Sequence, residues 1–165
     1  MLTFIQAGFG VEANQKSKVA YHLAVGANKR YALKGNYPDI AIDYQKVVLS
    51  VGKLRGLMDA SVLLAGNPED GLSLWFSWEL TQEDLEWPRC DDQVMLMAYF
   101  PDEMFEYPAY YKVAGAKRKA GQDVLEIPVA MAGKSMEVYI AVIAEDRSDV
   151  SRTQYLGRIV APDVT

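Results

Sequence analysis

The sequence is poor in the residues that most often carry chemistry. It holds one cysteine, Cys90, and one histidine, His22, in 165 positions. A single cysteine excludes an internal disulfide, and neither residue has neighbours at metal-ligand spacing. Asp91 and Asp92 follow Cys90 directly and carry the wrong charge for an activated nucleophile. His22 lies in a stretch of helical spacing, where a lone histidine reads as a packed or surface residue rather than a general base. No GxSxG, HExxH, P-loop or GxGxxG arrangement occurs, and Ala7-Gly8-Phe9-Gly10 lacks both the third glycine and a preceding strand. The expectation is a non-catalytic chain with no cofactor and no metal.

Long apolar runs are missing too. No stretch reaches the ~18 residues of a spanning helix. The opening MLTFIQAGFG has neither the basic leader nor the cleavage site of a secretion signal. A cytoplasmic location is the resulting expectation. Positive charge is outnumbered, 17 Lys and Arg against 22 Asp and Glu, for a net charge of −5. An acidic surface repels phosphates, so no nucleic acid is expected to bind through this stretch. The basic run Lys117-Arg118-Lys119 reads as a solvated turn. Glu79, Glu83, Asp84, Glu86, Asp91 and Asp92 lack the spacing of a calcium loop and read as a solvated acidic loop.

What is present favours sheet. Ten tyrosines and three tryptophans suit pleated, half-buried surfaces. Residues 1–14 are apolar, with Phe4, Ile5 and Phe9 as core candidates, but their pattern fixes no conformation. Residues 15–33 carry apolar side chains at helical spacing, including Val19, Leu23 and Ala27. Gly35 and Tyr37-Pro38 then end the helix. Gly26 inside it suggests a close approach of helix to sheet. From residue 39 the period becomes two, predicting strands near 41–50, 59–64, 71–79, 92–100, 107–114, 122–129, 135–145 and 152–161. The fold class expected is mainly β, α+β overall: an antiparallel sandwich of about seven strands with an N-terminal helix packed on one sheet. The domain organisation expected is a helical segment at 1–38 and a sandwich domain at 39–165.

Alternation sorts the aromatic residues. In the strand near 71–79, Leu72, Leu74, Phe76 and Trp78 form the core row, leaving Trp75 on a polar face. The segments 93–100 and 136–144 are apolar on both faces, so each needs two covers. One cover is the opposing sheet. The other, over Met95, Met97, Tyr99, Tyr139 and Ile143, is either the N-terminal helix or another chain. Trp87 falls in the acidic loop, and Tyr107, Tyr110 and Tyr111 gather in one segment with Phe105. Trp75, Trp87, Met95, Met97, Tyr99, Tyr107, Tyr110, Tyr111 and Tyr139 are therefore the candidate interaction residues.

Two resemblances bear on this reading. LSLWFSWEL at 72–80 and the hairpin-like 136–159 resemble the second strand and last hairpin of a fibronectin type III sandwich, which implies an immunoglobulin-like topology. Val138 stands where that fold usually has tyrosine. The segment from Gly35 to Gly52, reading G-x-YP-x-x-x-IDY-x-KV-x-LS-x-G, together with FSWEL at 76–80 and YLGRI at 155–159, resembles a bacterial family of unknown function. Gln45 stands where that family has serine. The family's usual basic N-terminal segment is absent here, which implies a truncation. The function expected is a protein-interaction or assembly module, binding a protein partner or itself, in a surface or mobile-element structure. The alternative is a carbohydrate-binding module using exposed aromatics.

Overall fold

The period-two pattern after residue 57 becomes seven antiparallel strands in the computed structural model, which describes residues 1–67, 69–102 and 108–162. They are β3 (Met58–Asn67), β4 (Gly71–Glu79), β5 (Gln93–Tyr99), β6 (Ala109–Lys112), β7 (Gln122–Ile127), β8 (Ser135–Ile143) and β9 (Gln154–Val160). Strands β3-β4-β7 form one sheet, and β6-β5-β8-β9 form a second. Register puts Leu74 of β4 opposite Leu64 and Leu125, and Leu96 of β5 opposite Ile140. The inward rows of both sheets meet in one core that holds Leu72, Leu74, Phe76, Trp78, Leu96, Phe100, Val138 and Ile140. Trp78 is buried as alternation requires, and its Nε1 donates to the Arg118 carbonyl oxygen at 2.8 Å.

The N-terminal region is more helical than its sequence pattern predicts. Residues 1–14, left unassigned by periodicity, belong to α1 (Leu2–Lys16), and the second helix, α2, is shorter than the predicted 15–33, covering Ala20–Tyr31. Ser17, in left-handed conformation at φ 51°, breaks the two apart. Both helices lie on the outer face of the four-stranded sheet. Phe4, Ile5, Phe9 and Ala13 of α1, with Ala20 and Ala24 of α2, bury Met95, Met97, Tyr139, Ala141 and Ile143. The two-sided apolar strands thus find their second cover within the chain. The close approach is made by Gly8 rather than Gly26. A Cβ on Gly8 would strike the Leu49 carbonyl oxygen, whereas one on Gly26 would meet nothing within 4 Å.

The predicted strand at 41–50 is a correction of substance. Only Ala41–Ile42 pairs (β2), with Leu33–Lys34 (β1), in a two-stranded ribbon. A single 3-10 turn, Tyr44–Lys46, follows, and residues 47–51 run as a strap between helices and sheet. The strap's backbone is satisfied by side chains and a helix carbonyl instead of a ladder. Asn28 receives a bond from Val48 N at 2.8 Å and donates to Val48 O at 2.7 Å. Thr153 Oγ1 accepts from Leu49 N and Ser50 N at 2.9 and 2.8 Å, and Val51 N donates to Gly8 O at 2.9 Å. Gly52 closes the strap, because a Cβ there would meet the Val150 carbonyl.

Candidate interaction surfaces

At one end of the sheets the loops are tied by a buried ionic cluster. Arg118 is 0% exposed, which corrects the reading of Lys117-Arg118-Lys119 as a solvated turn. Its Nη1 donates to Asp84 Oδ1 at 3.0 Å and to Gly56 O at 3.2 Å, and its Nη2 donates to Arg55 O at 2.7 Å. Arg55 also pairs with Asp84. Asp84 sits in the short helix α3 (Gln82–Leu85), where it forms a capping box with Thr81. Burial pushes the Asp84 carboxyl up, but hydrogen bonds from Thr81 and Arg118 and the Arg55 charge outweigh it and hold the group below the usual carboxylate range. Asp92, also buried, lies 3.6 Å from Arg118 Nε, and burial raises it. Two residues of the presumed acidic surface loop are therefore interior. Lys117 and Lys119 remain on the surface, both bonded to Asp91. The cluster ties these loops together from inside, and Arg118 Nε and Asp92 Oδ2 are buried in it without a hydrogen-bond partner among the described residues.

The candidate interaction residues fall into distinct environments. Met95, Met97 and Tyr139 lie beneath α1 and α2, and so present no surface to a partner. Tyr139 Oη donates to Tyr44 O at 3.0 Å, and burial pushes its phenol well up. Its neighbour Tyr155 donates to the buried Glu137 at 2.6 Å; burial, then that carboxylate, push Tyr155 up to about 12. Tyr110 is half-buried edge-on to Phe100, and Tyr111 edge-on to Phe4, so both serve packing. Tyr107 lies outside the described residues. Trp87 is 81% exposed in the loop after α3.

Trp75 stands differently. It is 47% exposed at the centre of the outer face of β3-β4-β7. Register sets it between Leu63, 72% exposed, and Val124, so an apolar row crosses all three strands. Polar rows flank it. Ser61 and Ser77 hydrogen-bond at 2.9 Å on one side, and Ser73 donates to Glu126 at 2.7 Å on the other. No helix or loop covers this row among the described residues.

Two of the concavities on the helical side involve the candidate residues or His22. An open cleft of about 990 Å³ runs between the end of α1, α2 and the strap, and His22 stands exposed on its wall. A smaller pocket of about 310 Å³ opens between α1, α2, the β1-β2 ribbon and the sheet, with Met97 and Tyr139 among its lining. Its apolar lining went unrecognised in the sequence, because it draws on five separate segments. Among the described residues, no group of three or more His, Cys, Asp or Glu side chains is placed to hold a metal ion. No described helix is long and apolar enough to cross a membrane.

These features define an α+β chain with two N-terminal helices laid on antiparallel sheets of three and four strands. Residues 1–157 match a family of unknown function (DUF6266), and the chain belongs to that family. The match agrees with the resemblance carried by Gly35 to Gly52. No curated protein matches the chain, and no solved structure does.

Proposed function

We propose that this chain is a non-catalytic interaction module, a fibronectin type III-like sandwich that associates with a second copy of itself through the outer face of β3-β4-β7. The sandwich reading is supported by strand order. Numbering the seven strands from β3, one sheet runs first-second-fifth and the other fourth-third-sixth-seventh, the arrangement of a Greek-key sandwich. The docking reading rests on the uncovered Leu63–Trp75–Val124 row. Its central row is apolar, and the rows beside it hold Ser61, Ser77 and Gln122 on one side and Ala65, Ser73 and Glu126 on the other, with Glu79 at a strand end. In a chain of net charge −5, that makes it a place where two copies meet without facing carboxylates at the centre.

Sedimentation velocity over a wide concentration range tests this. A concentration-dependent dimer is expected, weakened more than about ten-fold by Leu63→Lys or Trp75→Glu. A monomer at every concentration, or a dimer indifferent to both changes, contradicts it. A carbohydrate reading draws on the same indole, which is flanked by hydrogen-bonding Ser73, Ser77 and Glu126 as sugar-stacking tryptophans need. A saturable tryptophan-fluorescence response of the monomer to a polysaccharide would favour that reading over self-association.

A further inference from the structure

The smaller pocket has the composition of a ligand site on the side of the molecule away from Trp75. Ile5, Ala24, Val25, Leu49, Met97 and Tyr139 are among its walls. The polar atoms near its interior are already engaged. Asn28 is committed to Ala24 and the strap backbone, and Tyr139 Oη to the Tyr44 carbonyl. A ligand's buried part therefore finds no free hydrogen-bond partner there and must itself be apolar. The mouth differs from the interior. Leu33 and Ile42 of the ribbon and Tyr21 of α2 stand exposed around it, and Lys29 lines it as an exposed ammonium without an ion-pair partner among the described residues.

We infer that this pocket binds a medium-chain aliphatic monocarboxylate, its hydrocarbon tail against the accessible side chains of Val25, Leu33, Ile42 and Val47 and its carboxylate at Lys29. The volume is the first support. About 310 Å³ accommodates roughly ten groups the size of a water or methylene, at ~30 Å³ each. The second is charge: Lys29 at the rim of a largely apolar pocket, which Met1 also lines, complements an amphiphile with one anionic end, and a fully neutral hydrocarbon would leave Lys29 unused.

The test is calorimetric titration of the whole chain with decanoate, kept below its micelle concentration, and with decanol as the uncharged control. Saturable binding of decanoate at one site is expected. Lys29→Glu is expected to weaken decanoate about five- to ten-fold while leaving decanol unchanged. Ile42→Asp, at an exposed position on the mouth, is expected to weaken both. Circular dichroism confirms that each variant folds. The inference is overturned if neither amphiphile binds, if Lys29→Glu weakens both equally, or if the chain binds anionic vesicles but not monomeric decanoate.

Discussion

Arg118 shows how far a single side chain departs from its local sequence. Flanked by Lys117 and Lys119, it looks like one of three surface cations, yet it alone is enclosed, bonded to Asp84 and to the Gly56 and Arg55 carbonyls. Its planar fork suits three acceptors arranged in this way, which an ammonium does not. Removing one partner of a buried ion pair leaves the others charged and unpaired. Arg118→Met is therefore expected to cost about 3–5 kcal/mol in urea denaturation, while Lys117→Ala causes no measurable change. Adding Asp84→Asn and Asp92→Asn to Arg118→Met should recover part of the loss. If the triple variant is no more stable than the single one, the cost lies in packing rather than in stranded charge. Nothing in the run itself distinguishes Arg118 from its neighbours, because its partners come from residues 55–56 and 84, distant along the chain.

Elements were legible wherever a period was long and one-sided. The row Leu72, Leu74, Phe76 and Trp78 fixed both the strand and the face it buries. The two-faced apolar strands β5 and β8 announced a second layer, and α1 with α2 supplies it. What failed was local. Residues 41–50 alternate like a strand, but only Ala41–Ile42 pairs with another strand, and over 47–51 the backbone's partners are Asn28, Thr153 and Gly8, so that stretch is a strap. Residues 1–14 show no clear stripe because the buried row Phe4, Ile5, Gly8, Phe9 and Ala13 includes small residues while the apolar Leu2 lies outside it, exposed. The two helix glycines separate propensity from packing. Alanine is favoured over glycine in a helix by about 1 kcal/mol. Gly26→Ala, facing open space, should thus raise stability by about 0.5–1 kcal/mol. Gly8→Ala should lower it, by up to about 2 kcal/mol net, since overpacking against the Leu49 backbone costs about 1–3 kcal/mol. Thermal denaturation of the two variants beside the parent reads the sign of each, and equal stabilisation by both would refute the close approach at Gly8.

For the whole molecule, the two sheets have unequal fates. Both faces of the four-stranded sheet are buried within the chain, one against the opposing sheet and one beneath the helices. The three-stranded sheet has an outer face, crossed by Leu63, Trp75 and Val124, that no other described element covers, and it is that asymmetry which the proposed self-association exploits. The candidate surface was half legible. Alternation singled out Trp75, but Leu63 and Val124 join it only through strand register, which one sequence does not print. Hydroxyl-radical footprinting of the whole chain, read by mass spectrometry at dilute and high protein concentration, reports on every one of these positions at once. In dilute protein Met58, Trp75 and Trp87 should be oxidised, while Met95, Met97 and Trp78 stay protected; at high concentration Trp75 should become protected while Trp87 stays reactive. Oxidation of Met95 and Met97 as fast as Met58, or a Trp75 reactivity that does not change with concentration, would contradict it.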